Sequence, residues 1–413
     1  MLDARAFLRS LFDTAVAAAT PANCMQRWLP RRPTGNIVVV GAGKAAAAMA
    51  RQLEEQWGAP LRGVVVVPPG HDEKCRFVNV RFAAHPIPDE SCVAASKEVL
   101  AAVADLSAQD TVICLLSGGG SSLLTLPLPG IELTDKQRIT QALLRSGAAI
   151  HEINCVRKQL SAIKGGKLAA ACAPATVITL VISDVQGNDV AVVASGPTAA
   201  SGATVADAVS ILERYGIPVS NNIIEAMHAG AAGARSVAES DIRLLASSDD
   251  ALQAAALAAM EAGVTPYMLG DLGDDARHLA GEHAALALEI AAGRGPVAPP
   301  CVMLSGGETT VPVLGGGRGG RNGEYALALA IALAGHPAVY ALAADTDGID
   351  GCGDNAGCFV SPDTIARARA AAIEAPDCQR DNDSYTFFAA TGELLTTGPT
   401  RTNVNDFRAI LIT

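Results

Sequence analysis

The stretch Ile37–Ala46, "IVVVGAGKAA", decides how the chain is read. A β-branched run that ends in Gly-x-Gly and passes at once into an Ala-rich segment opens a strand–turn–helix unit of an α/β fold. Two nucleotide-binding fingerprints begin in this way. A dinucleotide site asks for G-x-G-x-x-G/A and for an acid near the end of the second strand to hold the ribose. Gly41, Gly43 and Ala46 meet the first condition, but the second run, "GVVVVPPGHDE", ends in Pro68-Pro69-Gly70. A P-loop needs Gly at position 38 and Ser or Thr at 45, where the chain has Val38 and Ala45. What neither motif explains is Lys44, at the start of a helix, where the macrodipole disfavours a cation that does not face an anion.

Outward from this stretch the same alternation continues. Strands are expected near 36–41, 63–67, 78–82, 111–116 and 176–182, with helices near 43–57, 89–104, 135–149 and 154–172. A second half restarts with a strand at 241–246 ("DIRLLA"). It continues with helix 249–262, strand 264–269, helix 274–292, strand 300–304, helix 321–334, strand 338–344 and a last strand, "FRAILIT". The pattern predicts two α/β domains, a Rossmann-like 1–235 with a largely parallel sheet and a smaller 236–413, since 413 residues exceed what one core usually serves.

Composition excludes some partners. A net charge of −11 argues against a nucleic-acid or anionic-membrane surface, which would need clustered Lys and Arg. The ten cysteines show no C-x-x-C pair, so reduced thiols are expected. The first twenty residues read as an amphipathic helix carrying Asp3 and Asp13, without a basic region ahead of a long apolar core. Gly335-His336-Pro337 splits the one apolar stretch that approaches membrane length. A soluble, cytoplasmic protein is expected.

Four further stretches point to anions. "CLLSGGGSSLL" (114–124) and "VMLSGGETTVP" (302–312) are each an apolar strand followed by Ser-Gly-Gly and hydroxyl residues. Ser117, Gly118, Gly119 and Ser121 in one, and Ser305, Gly306 and Gly307 in the other, therefore offer turns whose amides can converge on phosphate at strand ends. In "INCVRKQLSAIKGGKLAAA" (153–171), Arg157 and Lys164 are seven apart on an expected helix and share a face. "LGGGRGGRNGEYALALA" (314–330) brings Arg318 and Arg321 on a glycine-rich loop to a helix start, a phosphate or carboxylate signal. Acids stand at two strand ends: Asp184, and Asp345, Asp347, Asp350 and Asp354 in "DTDGIDGCGDNAG". They suit Mg²⁺ or the removal of a hydroxyl proton, while an EF-hand loop fails at Ile349 and Asp350. Of the histidines, His85 in "AAHPIPDES" is the candidate substrate contact. Anion loops, basic helix starts and acids fit phosphoryl transfer, which depends on positioning and charge neutralisation.

With these motifs, together with "VGAGKAAAAMA", "ISDVQGNDVAVVASGPT", "GGRGGRNGEYALA" and "TGPTRTNVND", the chain resembles the MOFRL-type glycerate 2-kinases over nearly its whole length. Members are also labelled tartrate-degradation hydroxypyruvate reductases. The resemblance implies ATP- and Mg²⁺-dependent phosphorylation of D-glycerate to 2-phosphoglycerate in a cleft between a Rossmann-like domain and a smaller α/β domain. It puts the catalytic lysine on Lys44, the arginine on Arg321 and the "SDV" aspartate on Asp184. Lys44 and Arg321 would then neutralise the phosphoryl group or the glycerate carboxylate. Gly43, both Ser-Gly-Gly loops, Arg157, Lys164 and Arg318 would bind substrate or phosphate. Mg²⁺ would sit on Asp184, Asp345 or Asp347, and another of these acids would take the hydroxyl proton. The alternatives are an NAD(P)H-dependent hydroxypyruvate reductase, weakened by the missing ribose acid, and a non-catalytic sensor. No motif of the family falls on 199–240, and the oligomeric state is left open.

Overall fold

The computed structural model describes residues 2–58, 60–232 and 240–413. The expected domain boundary, between 235 and 236, lies outside these residues. The chain forms two compact units: Cys24–Leu245, and Met1–Asn23 together with Ala246–Thr413.

The first unit is built on β1 (Ile37–Ala42), β2 (Arg62–Val67), β3 (Val78–Phe82), β4 (Thr111–Leu116), β5 (Thr176–Ile182) and β6 (Asp241–Ala246), in the order β3-β2-β1-β4-β5-β6. The pairs β3/β2, β2/β1, β1/β4 and β4/β5 are parallel. Every residue of β1 and β4 is buried, which is why both read as unbroken apolar runs and not as alternating ones. Strand order reverses between β1 and β4, and the carboxyl ends of such a pair are where open α/β sheets bind ligands.

The second sheet is mixed. Its strands are β7 (Thr265–Asp271), β8 (Cys301–Gly306), β9 (Val339–Asp345), β10 (Gly357–Val360), β11 (Leu394–Leu395) and β12 (Asp406–Ile412), in the order β11-β10-β9-β12-β8-β7. Only β7 and β8 pair in parallel; β12 runs antiparallel to both β8 and β9. The expected α/β class holds for both units.

Four elements depart from expectation. "DIRLLA" does not open the second sheet but extends the first, beyond β5, and its half-exposed start suits an edge. The expected helix 154–172 is two helices, Ile150–Gln159 and Lys167–Cys172, and Gly165 and Gly166, with φ of +62° and +83°, turn the chain into the second. The motif-free segment supplies the helices Val205–Arg214 and Asn221–Ala232, whose Ile211, Leu212, Ile223 and Met227 build a satellite core with Ile139, Leu143 and Val156. The strands β10 and β11, four and two residues long, are too short for a periodic signal.

The first helix, Ala4–Ala19, belongs to the unit of Ala246–Thr413. It buries Phe7, Leu8, Leu11 and Phe12, and the Phe12 ring meets Phe407 of β12 edge-on at 5.9 Å. Among the described residues no helix is long and apolar enough to cross a membrane. None of the ten cysteines forms a disulfide.

One buried acid holds the edge of the parallel sheet. Glu54, on the helix Ala46–Trp57, accepts the amides of Arg76, Phe77 and Val78 at 2.6, 2.8 and 2.8 Å, fixing the entry to β3. Glu54→Ala leaves those three donors without an acceptor and is expected to cost about 3 kcal/mol in urea unfolding. Glu54→Gln, which keeps one acceptor, is expected to lose less.

Candidate active site

At the reversal of strand order the turns after β1 and β4 interlock. Gly41 pairs with Leu115 and Ala42 with Leu116. Beyond the strands, the Gly43 amide donates to the Val66 carbonyl at 3.1 Å, the Lys44 amide to the Gly118 carbonyl at 2.9 Å, and the Ser117 amide to the Ala42 carbonyl at 3.2 Å. The Ser117 hydroxyl, fully buried, accepts the Ala45 amide at 2.9 Å and so caps the start of the helix Ala46–Trp57 from another strand. Gly43 has a φ of +134°, and a Cβ there would lie 2.2 Å from Ser117 Oγ. The glycine of the opening stretch thus admits the neighbouring loop.

Lys44 is half-buried at this junction. A Cβ placed on Gly119 would stand 2.9 Å from His85 Nε2 and 3.7 Å from Lys44 Cγ, so Lys44, His85 and Gly119 converge. Behind them lies a cavity of about 530 Å³, lined by His85, Gly119, Ser121, Lys136, Arg157 and Lys164 among others. Arg157 and Lys164 do meet here, though not as members of one helix: Arg157 is on Ile150–Gln159 and Lys164 in the turn after it. Lys164 Nζ donates to the Ser121 carbonyl at 2.5 Å. The Ser121 hydroxyl lies 2.8 Å from that of Ser195, which donates to Asn154 at 3.0 Å. Ala194 and Ser195 hold φ of +53° and +61°, strained backbone beside the cavity. Asp184 is half-buried in the turn after β5.

Lys136, on the helix Leu133–Arg145, is the residue that sequence reading passed over. Its signal was there: Lys136, Ile139 and Leu143 are the buried residues of that helix, so a lysine occupies the apolar stripe. Burial pushes Lys136 down to about 7, helped by the charges of Arg157 and Lys167. Burial also holds Lys164 well below its usual value, with Lys136 and Arg157 adding to it.

The second unit treats its predicted residues differently. Arg321, at the first turn of the helix Arg321–Leu333, donates to Asp406 at 2.8 Å, Asp345 at 2.8 Å and Glu308 at 2.6 Å. Burial opposes its charge, and these carboxylates outweigh burial. Asp406 also accepts from Asn322 and Arg408, both at 2.8 Å, and Arg408 donates on to the Gly306 carbonyl at 2.6 Å. The Ser305-Gly306-Gly307 turn is therefore pinned through its carbonyls. The glycine-rich loop is tied down in turn: Leu314 and Gly315 donate to Asn382, Gly316 to the Asp381 carboxylate and Arg318 to Asp383. The Arg318 guanidinium stacks over Tyr385 at 3.7 Å. Asp350 accepts the Asn322 and Gly323 amides at the helix start, and burial pushes it up to about 6. Asp354 accepts from Tyr385.

Among the described residues no group of three or more His, Cys, Asp or Glu is placed to hold a metal ion. Asp345 accepts from Arg321 through one oxygen and from the Asp347 amide through the other; Asp347 accepts from the Ile349 amide. These donor sets do not make a protein-only cage. A Mg²⁺ carried on substrate phosphates, which needs only one or two carboxylates, would have to displace these donors to reach them.

Residues 301–406 match the MOFRL family, and residues 7–228 match a domain described as of unknown function, DUF4147. A protein of Agrobacterium vitis with a provisional hydroxypyruvate reductase name is 49% identical over 100% of this chain and 95% of its own. A D-glycerate 2-kinase of Thermotoga maritima is 39% identical over 95% of this chain and 94% of its own. The crystal structure of a glycerate kinase from Thermotoga maritima matches with a TM-score of 0.89 and 38% identity, over 99% of both chains. The chain belongs to the MOFRL-type glycerate 2-kinase family.

The interlock can be tested directly. Gly43→Ala, whose new methyl meets Ser117 Oγ at 2.2 Å, is expected to lower the melting temperature by several degrees. Ser117→Ala removes only the cap and is expected to cost about 1 kcal/mol.

Proposed function

We propose that the chain phosphorylates the 2-hydroxyl of D-glycerate, using ATP and Mg²⁺. The observation that carries this reading is the convergence of Lys44 and the Ser117–Gly119 turn at the strand-order reversal, in a chain 39% identical to a D-glycerate 2-kinase. Transfer of a phosphoryl group asks the protein for position and countercharge more than for covalent chemistry. The Lys44 ammonium neutralises the oxygens of the group in transfer, and the Gly118 and Gly119 amides, which stand outside the interlock, add oriented dipoles. His85, which converges with Lys44 at Gly119, would contact the substrate there.

Asp184 is the carboxylate of this unit that would hold Mg²⁺ together with the nucleotide phosphates, where the ion supplies countercharge to the β- and γ-oxygens. Asp345 and Asp347 would first have to release the donors they already accept. Arg321, the second cation to which the family likeness gives a catalytic part, would have to exchange one of its carboxylates for a substrate anion.

Lys44→Ala is expected to lower kcat about a hundredfold or more with an unchanged melting temperature. Arg321→Ala is expected to lose both turnover and stability, because it takes one cation away from both Asp406 and Asp345. The provisional reductase name of the 49% identical relative supplies the second reading. ADP release from glycerate, ATP and Mg²⁺ supports the kinase; oxidation of NADH by hydroxypyruvate, with no ADP release, overturns it.

A further inference from the structure

We infer that the cavity behind Gly119 seats the carboxylate of the acid substrate, and that Lys136 is the residue that reads it. This assignment rests on the kinase reading above, since it locates one end of that reaction's acceptor.

Three cations line the cavity, Lys136, Arg157 and Lys164, and no Asp or Glu does. Lys136 and Lys164 are 4% and 1% exposed. Their ammonium groups meet only carbonyl oxygens, Lys136 that of Arg157 at a long 3.4 Å and Lys164 that of Ser121. Among the described residues none of the three makes an ion pair. A fold that needed only packing here would be better served by Leu or Met, because a buried charge without a counterion is costly. Two neighbouring buried lysines are a sharper case, since each raises the cost of the other. A ligand anion is the group that relieves all three.

The cavity lining is part apolar and part polar. Pro86, Ile87, Pro88 and Leu144 give it an apolar side, while Ser121, Ser122 and Thr125 offer hydroxyls. A short hydroxy acid would bring its carboxylate to the lysines and keep its hydroxyls on the side of Gly119, toward Lys44.

The groups facing Lys136 set a pH dependence. Arg157 faces it from the helix Ile150–Gln159, Lys164 from the turn, Lys167 from the next helix and His85 across the cavity; Cys92 adds a weak opposing influence on Lys164. On its own helix, Asp135 and Arg138 pair with each other at the surface. Lys136 is thus half-protonated near pH 7 when no anion is bound, and an anion draws the proton back. Acid binding is fully present below that pH and weakens as pH rises through it, by at most about tenfold per pH unit.

The test uses the full chain with D-glycerate, by calorimetry without nucleotide and by steady-state kinetics with it. The wild type is expected to bind glycerate and to melt higher in its presence. In Lys136→Met, KM for glycerate is expected to rise more than tenfold and to lose its dependence on pH between 7 and 8, with kcat and the KM for ATP within twofold. The variant, relieved of a buried charge, is expected to melt no lower than the wild type without ligand, and Lys136→Gln provides a second variant of similar reach. An unchanged Kd and KM for glycerate in both variants overturns the assignment. So does Lys136-dependent binding in which inorganic phosphate outcompetes glycerate, since the cavity would then be a phosphoryl site. Lys136-dependent glycerate binding in a wild type that releases no ADP keeps the cavity and removes the kinase reading.

Discussion

A single steric constraint organises the first unit: the turn after β1 and the turn after β4 must pass within hydrogen-bonding distance of each other. That approach works because Gly43 carries no side chain where Ser117 presents its hydroxyl. The same hydroxyl then serves as the cap of the helix Ala46–Trp57, whose own chain provides no side-chain cap. Two parallel strands, one helix and the lysine between them are thereby fixed as one rigid piece. Placement of Lys44 is a by-product of backbone packing, which suits a charge that has to be positioned before substrate arrives.

The two Ser-Gly-Gly turns show how one short motif serves opposite ends. In the first unit the turn borders a cavity rich in cations. In the second its carbonyls are gripped by Arg408, inside a network that also binds Arg321 to three carboxylates. The electrostatic characters of the two neighbourhoods differ accordingly: in one, buried cations line a cavity to which no Asp or Glu among the described residues contributes, and in the other the cation is matched several times over.

Much of this was legible in the sequence. The buried strands β1, β4, β5, β8, β9 and β12 announced themselves as apolar runs, because central strands are covered on both faces. Lys44, Ser117, Gly119, Arg157 and Lys164 were legible as members of glycine-rich or basic stretches. What escaped was set by tertiary context. Glycine pairs can bend a helix or precede one, and Gly165-Gly166 stand just ahead of the start of Lys167–Cys172. A strand such as "DIRLLA" names its own conformation but not the sheet it joins. Lys136 hid because helical lysines are nearly always solvated, so its place in the apolar stripe was passed over. The partners of Arg321 come from Asp345 and Asp406, distant in sequence, and no local spacing could reveal them.

The first helix carries a consequence for how the chain comes to be folded. Ala4–Ala19 is made before Cys24–Leu245, yet its partners, the helix Ser248–Glu261 and β12 with Phe407 among them, are made after it. Until synthesis has passed through Cys24–Leu245 and reached the helix Ser248–Glu261, the face bearing Phe7, Leu8, Leu11 and Phe12 has nowhere native to dock. The nascent chain must therefore keep this apolar face from wrong partners while the whole of the first unit is being made. By the same connectivity, the terminal unit cannot be produced as a simple C-terminal fragment: cut at the junction between units, it would lack the helix that closes it.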